Sequence, residues 1–368
     1  MAPIRRVGQD PALSIETAPA YELLMSLVSV SQDELNDTVD VGPEWIAEMR
    51  RRAGPELLER ARDAVHEMTD AWIHLVGVAY GAPAPRDVAT FVEHLRATDG
   101  DELRLHLIDF YDPDNRRQTP PDIVRRALAG ENEAVREFLR TNHPEYEPWQ
   151  RFLNAVLTAD PAELRAELVA VLEEWYQRVF ALEEATVMPI LLRDVEAKQE
   201  LSRELPFAEF VRTSTNGVEF PPRPGLDRVV LTPTFVNRPL VSHVELGDTL
   251  LIIYPVADES VAAETDAPPL RLVRLAKALA DEKRLRILRA LAGGEKGLME
   301  LAEQFGVPKT TMHHHMIVLR SAGLVAVAVG SKRYRLREET LPDVEQLLSG
   351  YLGAATGPSA ASRRSAAG

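Results

Sequence analysis

Apolar residues recur at helical spacing from Ser14 to about Leu205, give way to strand-like segments, and return to helical spacing towards the C-terminus. Residues 1–13 lack periodicity and read as a flexible arm. With Ser14 as N-cap, Ile15, Tyr21, Leu24, Met25, Leu27 and Val28 mark a helix to about Val30. Further helices are expected over 43–52, 55–80, 85–97, 101–110, 122–128, 131–140, 145–157 and 161–205. Several begin at proline, whose missing N–H costs little in a first turn, whereas Pro189 should kink or divide the last of them. Between Phe207 and Val256, the segments GVEF, RVVLTPTFV, LVSHVEL and TLLIIYPV alternate with Gly, Pro and Asp. That pattern predicts three or four antiparallel strands, with Leu246-Gly247-Asp248-Thr249 as a turn. Residues 14–256 thus form a large helical N-terminal domain ending in a small antiparallel β segment, and the acidic, aperiodic stretch 257–269 is a linker.

Residues 270–352 carry the most specific pattern. A helix with Leu298, Leu301, Ala302 and Phe305 stops at Gly306, and a second starts after Pro308. Met312, His315, Met316 and Leu319 fall at i, i+3, i+4 and i+7, an inward stripe. Lys309, Thr310, Thr311, His313, His314 and Ile317 face outward, with Arg320 at the far end. Two short helices joined by a tight glycine turn make a helix-turn-helix, and short polar side chains on the second suit a major groove about 12 Å wide. Over 324–337, LVAVAVGSKRYRLR alternates, turns at Gly330-Ser331 and returns with Lys332, Arg333, Arg335 and Arg337, a hairpin with a basic return strand, or wing. A helix over 342–352 and a disordered tail, 353–368, complete the chain.

On these residues the C-terminal domain resembles the winged helix-turn-helix of ArsR-type bacterial transcriptional regulators. The run LAKALADEKRLRILRALAGGE looks like that family's first two helices, and GVPKTTMHHHMIVLRSAGLV like its recognition helix and the entry to its wing. The resemblance covers roughly 70 of the 368 residues. It implies a homodimeric, DNA-binding repressor whose recognition helix spans 308–321. Lys309, Thr310, Thr311, His313 and His314 align with the family's DNA-contacting positions, and the basic wing with its phosphate or minor-groove contacts. Two features depart from the family. There is no cysteine, and LPDVEQLLSGYL contains no histidine, so the metal-sensing role does not carry over; Ile317 stands where a basic residue is common.

Composition alters this picture mainly through charge. The formal net charge is −15, unexpected for a DNA binder, but it is unevenly spread. Residues 271–340 hold 14 Lys+Arg against 7 Asp+Glu, while those before them hold 26 against 48. A basic module therefore follows an acidic body, and screening within about 8–10 Å keeps the two fields local. The lack of cysteine excludes disulfides and thiolate metal sites. The N-terminal run LLMSLVSV is too short to span a bilayer, so a cytoplasmic location without membrane attachment is expected.

Other clusters carry competing readings. Adjacent helical residues point about 100° apart, so His313-His314-His315 cannot jointly grip one ion; His315 reads as a satisfied core histidine, and His313 and His314 as DNA contacts or a solvated face. On a continuous helix, His66, Asp70 and His74 would line one face and suit a divalent cation, or form a solvated or interdomain face. Trp45, Trp72, Trp149 and Trp175, with Tyr176 and Phe180, read as core, the alternative being an apolar effector cage. Arg238 and His243 suit surface or turn positions. There is no Gly-x-Ser-x-Gly, Walker-type loop or Gly-x-Gly-x-x-Gly.

The expected fold is mainly α (α+β), and the expected protein a transcriptional regulator reading double-stranded DNA. Its DNA-binding residues would be Lys309, Thr310, Thr311, His313, His314, Arg320, Lys332, Arg333 and Arg335. The N-terminal domain would sense a small-molecule effector or oligomerise, with no cofactor, resident metal or catalysis. The alternative is an enzyme or metal-binding domain fused to the DNA-binding module.

Overall fold

The computed structural model describes residues 10–32, 39–108, 119–142, 147–220, 224–261, 268–328 and 333–354. The fold is mainly α (α+β). Its elements are β1 (Ala12–Ile15), α1 (Pro19–Ser31), α2 (Gly42–Asp63), a 3-10 turn (Thr69–His74), α3 (Leu75–Gly81), α4 (Val88–Ala97), α5 (Gly100–Ile108), α6 (Pro121–Leu128), α7 (Asn132–Thr141) and α8 (Glu147–Thr158). There follow α9 (Pro161–Trp175), a π turn (Tyr176–Phe180), α10 (Ala181–Glu204), α11 (Phe207–Ser214), β2 (Val218–Glu219), β3 (Arg228–Thr234), β4 (Ser242–Leu246) and β5 (Thr249–Pro255). The C-terminal elements are α12 (Leu270–Leu279), α13 (Glu282–Ala292), β6 (Lys296–Gly297), α14 (Leu298–Phe305), α15 (Lys309–Ser321), β7 (Val325–Ala328), β8 (Arg333–Leu336) and α16 (Leu341–Ala354).

The chain divides into two units. One comprises residues 1–207 and 222–256, the other 208–221 and 257–368. The segment 208–221 therefore belongs with the C-terminal elements, although its position in the chain assigns it to the N-terminal domain. Part of the expected linker is also held in place. Asp258 accepts from the Arg271 amide at 3.1 Å and pairs with Arg274 at 3.2 Å, both within the second unit.

The first unit is built around α1, which is buried from Ala20 to Ser31. A helix apolar nearly all round belongs in a core, and LLMSLVSV is the sequence of this one. Its polar residues must then find partners inside. Ser26 Oγ donates to the Leu23 carbonyl (2.7 Å) and accepts from Trp175 Nε1 (2.9 Å), and Ser29 Oγ donates to Asn237 Oδ1 (3.3 Å). Glu22 accepts from the amides of Phe235 and Val236 at 2.9 and 2.8 Å, so α1 pins the turn that follows β3.

Several sequence expectations are corrected here. Residues 12–15 form a strand, and α1 starts at Pro19 with Ala18 as N-cap, because Ala12–Ile15 pairs in parallel with residues 228–231 of β3. The sheet runs β1-β3-β5-β4, with β3 and β5 parallel and only β4–β5 antiparallel. Strands covered on both faces carry continuous apolar runs, and β3 and β5 are buried almost throughout. The helix expected over 55–80 is broken. His66 (φ +46) and Glu67 (φ +64) adopt left-handed backbone before the 3-10 turn, whereas the kink at Gly54 (φ +74) within α2 falls between the two helices expected over 43–52 and 55–80. The proposed His66-Asp70-His74 face is thereby lost, with His66 exposed and His74 buried. Pro189 neither ends nor divides α10, whose turns around it are anchored by buried Val187, Ile190 and Leu191. Arg238 lies in a turn, as expected, but is buried rather than at the surface, 3.7 Å from Asp40. Trp72 and Trp175 are core residues. No helix among the described residues is long and apolar enough to cross a membrane.

Burial raises the Glu22 carboxyl to about pH 7 against the pull of its hydrogen bonds. An acid whose folded pKa lies above its unfolded value binds extra protons when folded, so its contribution to stability declines as pH rises from about 4.5 to about 7. His74, its ring on the Leu107 carbonyl, is pushed down to about 3 by burial and acts oppositely, losing stability as pH falls below about 6.5. Glu22→Gln keeps an acceptor but not the titration. Relative to wild type, this variant should gain stability between pH 4.5 and 7 by up to about 1.4 kcal/mol per pH unit, and parallel urea-unfolding profiles would refute the assignment.

Candidate nucleic-acid interface

The C-terminal unit begins with α12 and α13, joined through Asp281, which caps α13 by accepting from the Arg284 amide at 2.9 Å. Arg284 in turn donates to the carbonyls of Ala278 (2.9 Å) and Lys277 (2.7 Å) at the end of α12. A guanidinium is well suited to orphan carbonyls at a helix C-terminus. The turn between α14 and α15 needs a left-handed residue, and Gly306 supplies it at φ +61, followed by Val307 and Pro308 as the N-cap of α15.

The helical period of α15 is realised as expected. Met312, His315, Met316 and Leu319 are buried, and Lys309, Thr310, Thr311, His313 and His314 are exposed in the first two turns. The buried stripe packs with Leu275, Ala278, Ile287, Leu291, Leu301 and Leu324. His315 is a core residue whose pKa burial lowers, yet its Nδ1 has no hydrogen-bond partner among the described residues, so it is not the satisfied histidine expected. Arg320 departs from the outward row. It is half-buried, and loss of solvent around the guanidinium lowers its pKa despite the nearby Tyr334 hydroxyl.

Strands β7 and β8 form the expected hairpin, with Val325 opposite Leu336 and Val327 opposite Tyr334. Lys332 and the Gly330-Ser331 turn lie outside the described residues. Tyr334 and Leu336 pack on the apolar core, which puts Arg333 and Arg335 on the alternate face of β8, with Arg337 immediately after the strand. These arginines are engaged within the unit. Arg333 Nη1 donates to Glu300 Oε1 at 2.9 Å and its Nη2 to the Glu295 carbonyl at 2.7 Å, while Arg335 pairs with Glu219. Arg337 meets Glu339 at 3.3 Å and donates to the Asn216 carbonyl at 3.3 Å. The Arg333 pairing and a bond from the Gly297 amide hold the Glu300 carboxyl below its usual range.

Residues 218–219, part of the GVEF segment expected as a strand of the N-terminal sheet, instead enlarge the wing sheet to the order β2-β7-β8-β6. Strand β2 pairs in parallel with β7, Val218 opposite Val327 and Glu219 opposite Ala328. Ahead of it Asn216 (φ +53) and Gly217 (φ +91) make a turn, and Asn216 Nδ2 donates to the Ser321 carbonyl at 3.0 Å, at the end of α15. The strand itself was signalled by GVEF and its turn by the Asn-Gly dipeptide, but neither carries the identity of the pairing partner.

Of the expected contacts, then, the five at the start of α15 share one exposed face, Arg320 stands apart, and Arg333 and Arg335 are ion-paired. Among the described residues, no group of three or more His, Cys, Asp or Glu is placed to hold a metal ion. A family model for the helix-turn-helix domain matches residues 279–328, covering α13, α14, α15 and β7. No curated protein matches, and no solved structure matches. The chain thus carries a C-terminal helix-turn-helix DNA-binding domain, the mark of a transcription regulator.

Leu319 is wholly buried, so Leu319→Ala should destabilise the C-terminal unit by about 2–5 kcal/mol. Gly306→Ala meets open space and should cost about 1 kcal/mol, from backbone strain alone. Urea unfolding of both variants checks this, and an unshifted Leu319→Ala midpoint would contradict the anchoring of α15.

Proposed function

We propose that this protein is a homodimeric, ArsR-like repressor that reads a pseudo-palindromic duplex operator. One observation carries the reading: the first two turns of α15 expose Lys309, Thr310, Thr311, His313 and His314, while the opposite stripe is locked into the core. Those short polar side chains supply base-edge contacts in the major groove, and Lys309 supplies a phosphate contact at the helix start. The wing adds phosphate or minor-groove contacts through Arg333, Arg335 and Lys332 once the first two are released from their glutamates.

A second copy of the chain supplies the two-fold symmetry that a palindrome requires. Support comes from α16, where Leu341, Leu348 and Leu352 are exposed at helical spacing while Val344 and Leu347 pack on the domain core. The N-terminal unit senses an effector or oligomerises, altering the spacing of the two reading helices through different affinities for two dimer states. It performs no catalysis. The chemistry-bearing side chains inside it already serve its packing: His74 holds the Leu107 carbonyl, and Asp194 accepts from Tyr254 at 2.8 Å beside Lys198. The protein acts in the cytoplasm.

In gel-shift titrations, Lys309→Ala should weaken binding to all duplexes alike and lower the salt slope by about one unit. Thr311→Ala and His314→Ala should instead change which bases are preferred, by about 1–3 kcal/mol per base pair. Unchanged preference in both would remove α15 as the reading helix. Leu348→Glu with Leu352→Glu should yield a monomer by sedimentation; a retained dimer would place the two-fold contact elsewhere.

A further inference from the structure

Arg333 and Arg335 of β8, with Arg337 just beyond its end, form a row along the return arm of the wing, and each is met by a glutamate. Glu300 and Glu339 come from the continuous stretch 257–368, whereas Glu219 comes from 208–221, a segment bounded on both sides by chain of the other unit. We propose that Glu219 is an autoinhibitory carboxylate, occupying Arg335 in place of a DNA phosphate and withdrawn when the N-terminal unit pulls on the segment that carries it. This inference rests on the reading of the C-terminal unit as a duplex-DNA binder.

The geometry suits a displaceable contact. Sheet order puts β7 between β2 and β8, so Arg335 reaches across the strand from its position opposite Ala326, a small residue that leaves the path open. The pair is accessible, with side-chain exposures of 30% for Arg335 and 35% for Glu219. Exposed pairs contribute little and are screened by salt, so a polyanion can compete for the guanidinium. Glu300 is less suited to this role, because it also accepts from the Gly297 amide at the start of α14. Glu219 has no second hydrogen bond of that kind among the described residues.

The segment is nevertheless registered against the reading surface. Asn216 Nδ2 holds the Ser321 carbonyl, and a Cβ on Gly217 would stand 2.5 Å from Arg337 Nη1, so glycine there lets the guanidinium approach. Both links fix where Glu219 falls along β7. Since the chain enters this segment from α10 of the first unit and returns from it to β3 of the same unit, a rearrangement within the first unit reaches β2 through the backbone itself.

The test uses the full-length chain and a duplex selected by the wild-type protein from a random-sequence pool, with affinity measured from low to high salt. Glu219→Gln should bind about two- to fivefold more tightly at low salt and steepen the salt slope by about one unit, with its melting curve unchanged. Both gains should vanish in an Arg335→Ala background. Equal or weaker binding by Glu219→Gln would overturn the proposal, as would a gain that persists without Arg335, which would make Glu219 a general repulsive charge. If the wild-type protein selects no duplex at all, the DNA-binding reading itself has failed.

Discussion

A helix can offer one face to a ligand only if its opposite face is held, and in this chain the grip is the stripe Met312, His315, Met316 and Leu319. Each buried aliphatic chain contributes roughly 1.5–3 kcal/mol relative to exposure, enough to fix both the rotation of α15 and the residues left outside. Rotating the helix by one residue, about 100°, would bury Thr311 or His314 and expose Met312. The glycine turn at 306 and the arginine seal on the end of α12 serve that same orientation.

The C-terminal reading domain was largely legible in the sequence because its signals are local. Period 3.6, a left-handed glycine and a proline helix start all act over a few residues, and the structure follows them. The fate of the charged residues was less legible. A basic strand looks alike whether its arginines face solvent or meet glutamates, and Glu219 lies more than a hundred positions away from Arg335. The two-residue strand β2 is too short to leave any alternation, so its membership of the wing sheet follows from long-range pairing alone.

In the first unit, periodicity located most helices but not their breaks. His66 and Glu67 take left-handed backbone without a glycine, so the pattern continues through a turn that redirects the chain. A prospective metal face disappeared there because it depended on helix continuity. Unbroken apolar runs in β3 and β5 could have been read as doubly covered strands, which favours parallel pairing over the antiparallel arrangement inferred from turns. The largely apolar α1 conceals a different point: its buried carboxylate organises the turn after β3, a polar constraint that hydrophobic pattern does not register.

The discontinuous reading domain has a consequence for how such a protein can be rearranged. A fragment starting at residue 257 would retain the matched helix-turn-helix but lose β2, leaving the outer rim of β7 with unsatisfied backbone amides and carbonyls. Bare sheet margins recruit other strands, so the severed half would tend to self-associate. Exchange of whole halves between related chains would meet the same obstacle, which makes this reader a poor interchangeable cassette.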